Sequence, residues 1–252
     1  MPTEDGPPLV DKPSAAITGI DTCVWKPLVA TCGVDRRVRV WNYQERSIEY
    51  CKTFDEGATA LSLHPNGLYM LVAFLEKVRL MALLTDDIRI VKHFGIKKCR
   101  VVKFSNGGQY FAIATSATVL IYHTYTAEQL HTLRGHNSKV QGIEWRQGDK
   151  HLVTYGFDGA VFLWSIDVDK VTKQEISIPR AAIEAGAVAS NFSRCVMYDN
   201  DHKINEFDLQ NLRVRSSIGV GDTLGALVLC RHNRLLLAGT ASPDGEPGQL
   251  RS

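Results

Sequence analysis

The chain has 252 residues, 44% hydrophobic and 22% charged, which is long enough to bury a sizeable core and too apolar for a disordered segment. Its 29 Lys and Arg against 27 Asp and Glu leave a formal charge of +2, without the basic excess of a phosphate-tracking protein, so nucleic acid is not expected as the main partner. The strongest apolar run, residues 68–75, falls far short of the ~20 residues that cross a bilayer as a helix, so no membrane anchor is expected.

Residues 1–16 carry Pro2, Pro7, Pro8 and Pro13 among acidic and small residues, which predicts a solvated tail and no secretory signal. Six cysteines, Cys23, Cys32, Cys51, Cys99, Cys195 and Cys230, form no CxxC pair. Several lie in apolar strand-like runs where a free thiol packs as a small hydrophobe, a pattern suited to a reducing compartment such as the cytoplasm.

From residue 17 a repeat governs the pattern. Val38-Arg39-Val40-Trp41 returns as Val78-Arg79-Leu80-Met81, Val119-Leu120-Ile121-Tyr122, Val161-Phe162-Leu163-Trp164 and Ile204-Asn205-Glu206-Phe207, with closing residues 40, 41, 42 and 43 apart. A short β-favouring run ending on a bulky residue at this period marks a WD-repeat propeller blade of four antiparallel strands. In the first repeat the strands fall at 19–24, 28–32, 38–41 and 47–54. Turn clusters at His64-Pro65-Asn66-Gly67, Ser105-Asn106-Gly107-Gly108 and Arg146-Gln147-Gly148-Asp149 supply the restricted or positive φ of tight hairpins. The expected blades are 17–54, 55–96, 97–133, 134–178 and 179–218. A partial sixth covers 219–240, with runs at 226–230 and 235–240 around a turn at Arg231-His232-Asn233. Residues 241–252, rich in Pro and Gly, read as a second disordered tail. The fold class is therefore an all-β WD-repeat β-propeller of about five complete blades and part of a sixth. Such an incomplete ring would leave a sheet edge open, which points to a missing segment or another chain completing it, and to a fragment or truncated isoform.

The fourth repeat resembles the WD-repeat family most fully, in Gly135-His136, Thr154, Asp158 and Trp164. The resemblance implies that these four form a buried hydrogen-bonded chain pinning the Asp turn, because a buried carboxylate and imidazole are tolerated only when every polar atom has a partner. Thr31, Asp35 and Trp41 repeat the same spacings, four and then six. The fifth repeat keeps Asp201 six before Phe207 but has Met197 where the hydroxyl belongs, so its network is expected to be broken. The second and third are looser, with Glu76 five before Met81 and Ser116 six before Tyr122.

Stretches of the first three repeats are similar to a narrower family, the long axonemal WD-repeat proteins of cilia and flagella. They include Ile17-Thr18-Gly19-Ile20-Asp21, Lys26-Pro27-Leu28-Val29-Ala30-Thr31-Cys32, Asp35 to Tyr43, Ser62-Leu63-His64-Pro65 and Phe104-Ser105-Asn106-Gly107-Gly108. That family places amino-terminal propellers before a long coiled coil and acts as an axonemal scaffold that helps seat inner dynein arms. The resemblance implies a place in the cytoskeleton of the ciliary axoneme. Its expected partners are axonemal scaffold, inner dynein arm or microtubule-associated proteins. Sustained heptads are missing here, so the coiled coil is absent from this sequence.

Sharper chemical readings give way to structural ones. His136, Thr154 and Asp158 supply a base, a hydroxyl and an acid, but a nucleophile must be accessible beside an oxyanion site, and these are expected behind Trp164. His123, His131 and His136 lack the ligand spacing of a zinc site. The 219–225 loop places its third Gly one residue late for a phosphate cradle and precedes no helical pattern, and 142–150 lacks the Ser or Thr of a Walker loop. No cofactor, metal or catalytic residue is expected. Arg36, Arg37, Arg39, Lys77 and Arg79 recur at equivalent places in the first two repeats and suggest a basic band for an acidic partner. The expected function is a non-enzymatic interaction scaffold. The alternative, a ubiquitin-ligase substrate receptor, lacks its Trp-Asp-x-Arg signature after Trp41 and Trp164. A propeller-fold enzyme would need acids or histidines clustered on the central channel, for which nothing speaks.

Overall fold

A computed structural model describes residues 16–85, 87–167, 170–230, 235–240 and 250–251, and among these every regular element is a β-strand. The chain divides into two compact units at Phe104 and Ser105.

In the first unit β1 (Ile17–Thr22), β2 (Leu28–Gly33), β3 (Arg37–Asn42) and β4 (Ser47–Thr53) pair in order as one antiparallel sheet. A second sheet follows from β5 (Ala60–Leu63), β6 (Tyr69–Ala73), β7 (Val78–Leu83) and β8 (Ile88–Phe94), after which β9 (Cys99–Phe104) lies against β5 and β6. In the second unit β10 (Tyr110–Thr115), β11 (Thr118–His123) and β12 (Gln129–Arg134) pair in order. They are followed by the sheets β13 (Val140–Trp145), β14 (His151–Gly156), β15 (Ala160–Ile166), β16 (Val171–Ser177) and β17 (Ile183–Val188), β18 (Arg194–Asp199), β19 (Lys203–Asp208), β20 (Arg213–Gly219). Last come β21 (Leu224–Leu229), β22 (Leu236–Thr240) and β23 (Leu250–Arg251).

The two residues of β23 fall inside the stretch read as a tail, yet they pair with β22, Ala238 opposite Arg251 and Gly239 opposite Leu250. The rest of both expected tails, 1–15, 241–249 and 252, and the expected turn at Arg231-His232-Asn233 lie outside the described residues.

Burial explains why the middle strands read as unbroken apolar runs. A middle strand is covered on both faces, so Met70, Leu71, Val72 and Ala73 of β6 are all fully buried, whereas β20 is exposed along its whole length. First strands of successive sheets lie side by side, β1 against β5 and β5 against β9 in the first unit, β13 against β17 and β17 against β21 in the second. Thr18 and Thr59 stitch the two contacts of the first unit in turn. Thr18 donates its hydroxyl to the carbonyl of Ala58 at 2.5 Å, and Thr59 repeats the bond to Cys99 at 2.8 Å.

Hairpin turns carry the positive φ expected of them, 67° at Gly67, 75° at Gly108, 87° at Gly148 and 58° at Asp149. Two other glycines are required by space. The Tyr155 ring fills a slot beside Gly142 and Gly186, where a Cβ on Gly142 would stand 2.0 Å from the ring and one on Gly186 would stand 2.9 Å from it. The Tyr155 hydroxyl donates to the Gly186 carbonyl at 3.1 Å, anchoring β14 on β17. Gly142→Ala is expected to destabilise the second unit by about 1–3 kcal/mol, the usual cost of overpacking. Equilibrium denaturation checks this, and a midpoint equal to that of the unsubstituted chain would contradict it.

Candidate functional site

Thr154 on β14 and Trp164 on β15 are diagonal neighbours on adjacent strands, Thr154 opposite Phe162 and Trp164 opposite Leu152, and the chain entering β13 carries His136 to them. The Trp164 indole N–H donates to Thr154 Oγ1 at 2.8 Å. Thr154 Oγ1 lies 2.8 Å from His136 Nε2, and His136 Nδ1 lies 3.0 Å from Asp158 Oδ1. One assignment satisfies every atom: the threonine hydroxyl, already accepting from Trp164, donates to Nε2, and Nδ1–H donates to the carboxylate. Asp158 also accepts the backbone N–H of Asn137 at 2.8 Å and of Ala160 at 3.3 Å, which closes the turn before β15. The His136 ring stands edge-on to Phe162 at 4.7 Å, and the Lys173 ammonium lies 5.0 Å from the same ring's centre.

Burial lowers the His136 pKa, against the opposing pull of Asp158, so the His136–Asp158 contact is a hydrogen bond from a neutral imidazole. Burial acts to raise the Asp158 pKa, but the bonds from His136 and Asn137 outweigh it and hold the carboxyl below its usual value. Both groups therefore bind protons more weakly folded than unfolded, and both contribute stability that is lost as pH falls. The expected result is a melting temperature that declines first as pH drops below about 6.5, where the unfolded histidine charges, and again below about 4, where the unfolded carboxyl protonates. A melting temperature that is flat or rising from pH 7 to 4 would contradict it.

The first repeat solves the same problem with a different partner. Trp41 donates to Thr31 Oγ1 at 3.0 Å, but Asp35 binds Arg39 at 2.8 Å and the Arg37 N–H at 3.2 Å. Burial opposes ionisation of Asp35, and the guanidinium of Arg39 with the Arg37 N–H overcomes it and lowers the pKa. This corrects the expected basic band. Arg39 is 2% exposed and serves the turn, and Arg79 lies over the Phe54 and Phe74 rings at 5.5 and 4.9 Å. Lys77 pairs with Glu56 at 2.7 Å, while Arg36 and Arg37 are exposed.

The fifth repeat departs further. Asp201 is exposed, 3.5 Å from Lys203, and the turn is held instead by Asp199, two residues earlier and buried. Asp199 accepts the N–H groups of Asp201 and Lys203, both at 3.0 Å, and the Asn205 amide at 2.6 Å. Asp21 is a second carboxylate that sequence reasoning passed over. It accepts from the Ser62 hydroxyl at 2.8 Å and the Leu63 N–H at 2.9 Å, and pairs with Lys103 at 3.1 Å, joining β1, β5 and β9.

The three histidines considered together do separate work: His136 in the relay, His123 accepting the Thr126 N–H at 3.3 Å, and His131 lining a cleft of about 360 Å³ with Tyr110, Leu130 and Trp145. Among the described residues no group of His, Cys, Asp and Glu is arranged to hold a metal ion. The 219–225 loop runs from β20 directly into β21, held by the Tyr198 hydroxyl donating to the Asp222 carbonyl at 3.2 Å. Cys99 is pushed up to about 12 by burial, and burial also raises Cys32 and Cys195, so these thiols are poor nucleophiles.

Four-stranded antiparallel sheets in which a Trp of the third strand donates to a Thr of the second, with an Asp turn between those two strands, define a class: the chain carries WD40 repeats and has the β-propeller fold. The WD40 family (WD domain, G-beta repeat) matches residues 10–42 and 127–165, the two repeats that carry the full spacing. The β-propeller domain of Myceliophteria thermophila Cps50 (Swd1) superposes with a TM-score of 0.79 at 12% identity, covering 90% of this chain and 80% of that one.

The chain is similar to Cilia- and flagella-associated protein 57 of Mus musculus, 45% identical over 157 residues, which is 62% of this chain and 13% of that protein. Cilia- and flagella-associated protein 57 C of Tetrahymena thermophila is 31% identical over 260 residues, 93% of this chain and 20% of that protein. The chain thus spans between 13% and 20% of the length of these two relatives.

Proposed function

We propose that the chain is a non-enzymatic interaction scaffold of the ciliary axoneme that helps dock or organise inner dynein arms and so regulates ciliary motility. One observation carries this reading. The propeller fold is shared at 12% identity, so 45% identity to Cilia- and flagella-associated protein 57 over 157 residues far exceeds what the core alone requires. Identity of that degree supports reading the chain by its ciliary relatives and not by the shared fold alone. The partners on this reading are axonemal scaffold proteins, inner dynein arms or microtubule-associated proteins, and the location is the cytoskeleton of the cilium.

The absence of an enzymatic role is supported by how the reactive side chains are used. Thr154 is fully buried with its hydroxyl engaged on both sides, and His136 and Asp158 are spent on one turn. Depletion of the protein from ciliated cells tests the finer claim by electron tomography of axonemes. The expected result is loss of a subset of inner dynein arms with slowed beating; a full complement of inner arms would contradict it.

A further inference from the structure

The near-zero net charge hides an uneven distribution. Residues 88–104 hold six Lys and Arg and no Asp or Glu. Four segments of the first unit, at 34–37, 54–57, 74–77 and 95–100, are tied into one rim. Phe54 N–H donates to the Arg36 carbonyl at 2.8 Å and Lys98 N–H to the Leu75 carbonyl at 2.7 Å. Lys77 pairs with Glu56, and Lys97 with Glu76, each at 2.7 Å.

On this rim Arg36, Arg37, Lys98 and Arg100 are exposed, and ion pairs with Arg39, Lys77 and Lys97 neutralise Asp35, Glu56 and Glu76, leaving Asp55 as the remaining acid of the four segments. Two apolar side chains stand out among them, Val34 at 57% and Leu75 at 56% exposed, each at the start of a hairpin turn. Arg36 and Lys98 sit at φ of 63° and 54°, so these two side chains project from tight, locally fixed turns.

We propose that this rim is a docking surface for an extended acidic peptide segment of a partner protein, with carboxylates on Arg36, Arg37, Lys98 and Arg100 and apolar side chains over Val34 and Leu75. The proposal rests on the scaffold reading and names the surface and partner chemistry for it. Charge complementarity selects the occupant. A nucleic acid strand needs an unbroken basic track, whereas these four cations stand in separate turns around Asp55, and it gains nothing from Val34 and Leu75. A peptide alternating carboxylates with leucine-like residues uses both features.

Fluorescence anisotropy of the purified full chain with a short labelled glutamate-rich peptide carrying two leucines tests it. Saturable binding is expected, weakened at least about tenfold when Arg36→Glu and Lys98→Glu are combined, because exposed attractions become repulsions. Arg37→Glu with Arg100→Glu, at positions without left-handed backbone, gives the same loss should the first pair fold poorly. Arg213→Glu on β20 leaves binding unchanged. The proposal is overturned if the peptide does not bind, if Arg213→Glu weakens it equally, or if an oligothymidylate of the same length binds more tightly. Failure of peptide binding with axonemal docking intact overturns this surface and leaves the scaffold reading standing.

Discussion

Asp158→Ala is expected to destabilise the second unit by about 2–4 kcal/mol, a fall in melting temperature of roughly 5–12 °C. The substitution removes the acceptor for three donors at once, the Asn137 and Ala160 N–H groups and the His136 imidazole. His136 is 7% exposed and neutral, so its Nδ1–H is left without a partner away from water, and Thr154 and Trp164 lose the orientation of the group they depend on. Asp158→Asn keeps an oxygen for the backbone and should lose less. Differential scanning calorimetry on the two variants checks the order, and an unchanged transition for Asp158→Ala would mean that the relay is dispensable.

Asp199→Ala should cost about 2–3 kcal/mol, and Asp201→Ala should fall within ~0.5 kcal/mol of no change. The pair is informative because spacing from the closing aromatic favours Asp201, while the structure gives three hydrogen bonds to Asp199 and leaves Asp201 facing solvent. Urea denaturation of both variants decides between them. Equal losses, or a larger loss for Asp201→Ala, would contradict the assignment.

These two cases also show what sequence can and cannot disclose about such a chain. Trp41, Trp164 and Phe207 lie near the end of the third strand of their sheets, and a bulky side chain there recurs because each sheet needs the same filler, so the period near forty residues was readable. The His136, Thr154, Asp158 and Trp164 spacing was readable because short hairpins leave little freedom in the distance between a strand residue and the next turn. The substitutions inside that frame were not. Arg39 satisfies Asp35 from four residues downstream, where the fourth repeat has an imidazole far upstream, and both answers meet one requirement, a donor for a buried carboxylate. Asp199 reaches the same turn from inside β18 with Asn205 as helper, a solution that no fixed spacing announces. Arg39 and Arg79 looked like surface charges by position, yet one is consumed by Asp35 and the other by two phenylalanine rings. Contacts between residues far apart in sequence, such as Asp21 with Ser62 and Lys103, become visible only when the strands lie side by side. Net charge concealed the basic rim because the excess of acids over bases in residues 1–87 offsets much of it in the sum.

The most direct test of the central claim, that this chain carries a docking surface for the axoneme, is where the tagged chain goes in a ciliated cell once detergent has separated axoneme from soluble protein. The account predicts retention along the extracted axoneme; a wholly soluble chain would contradict it.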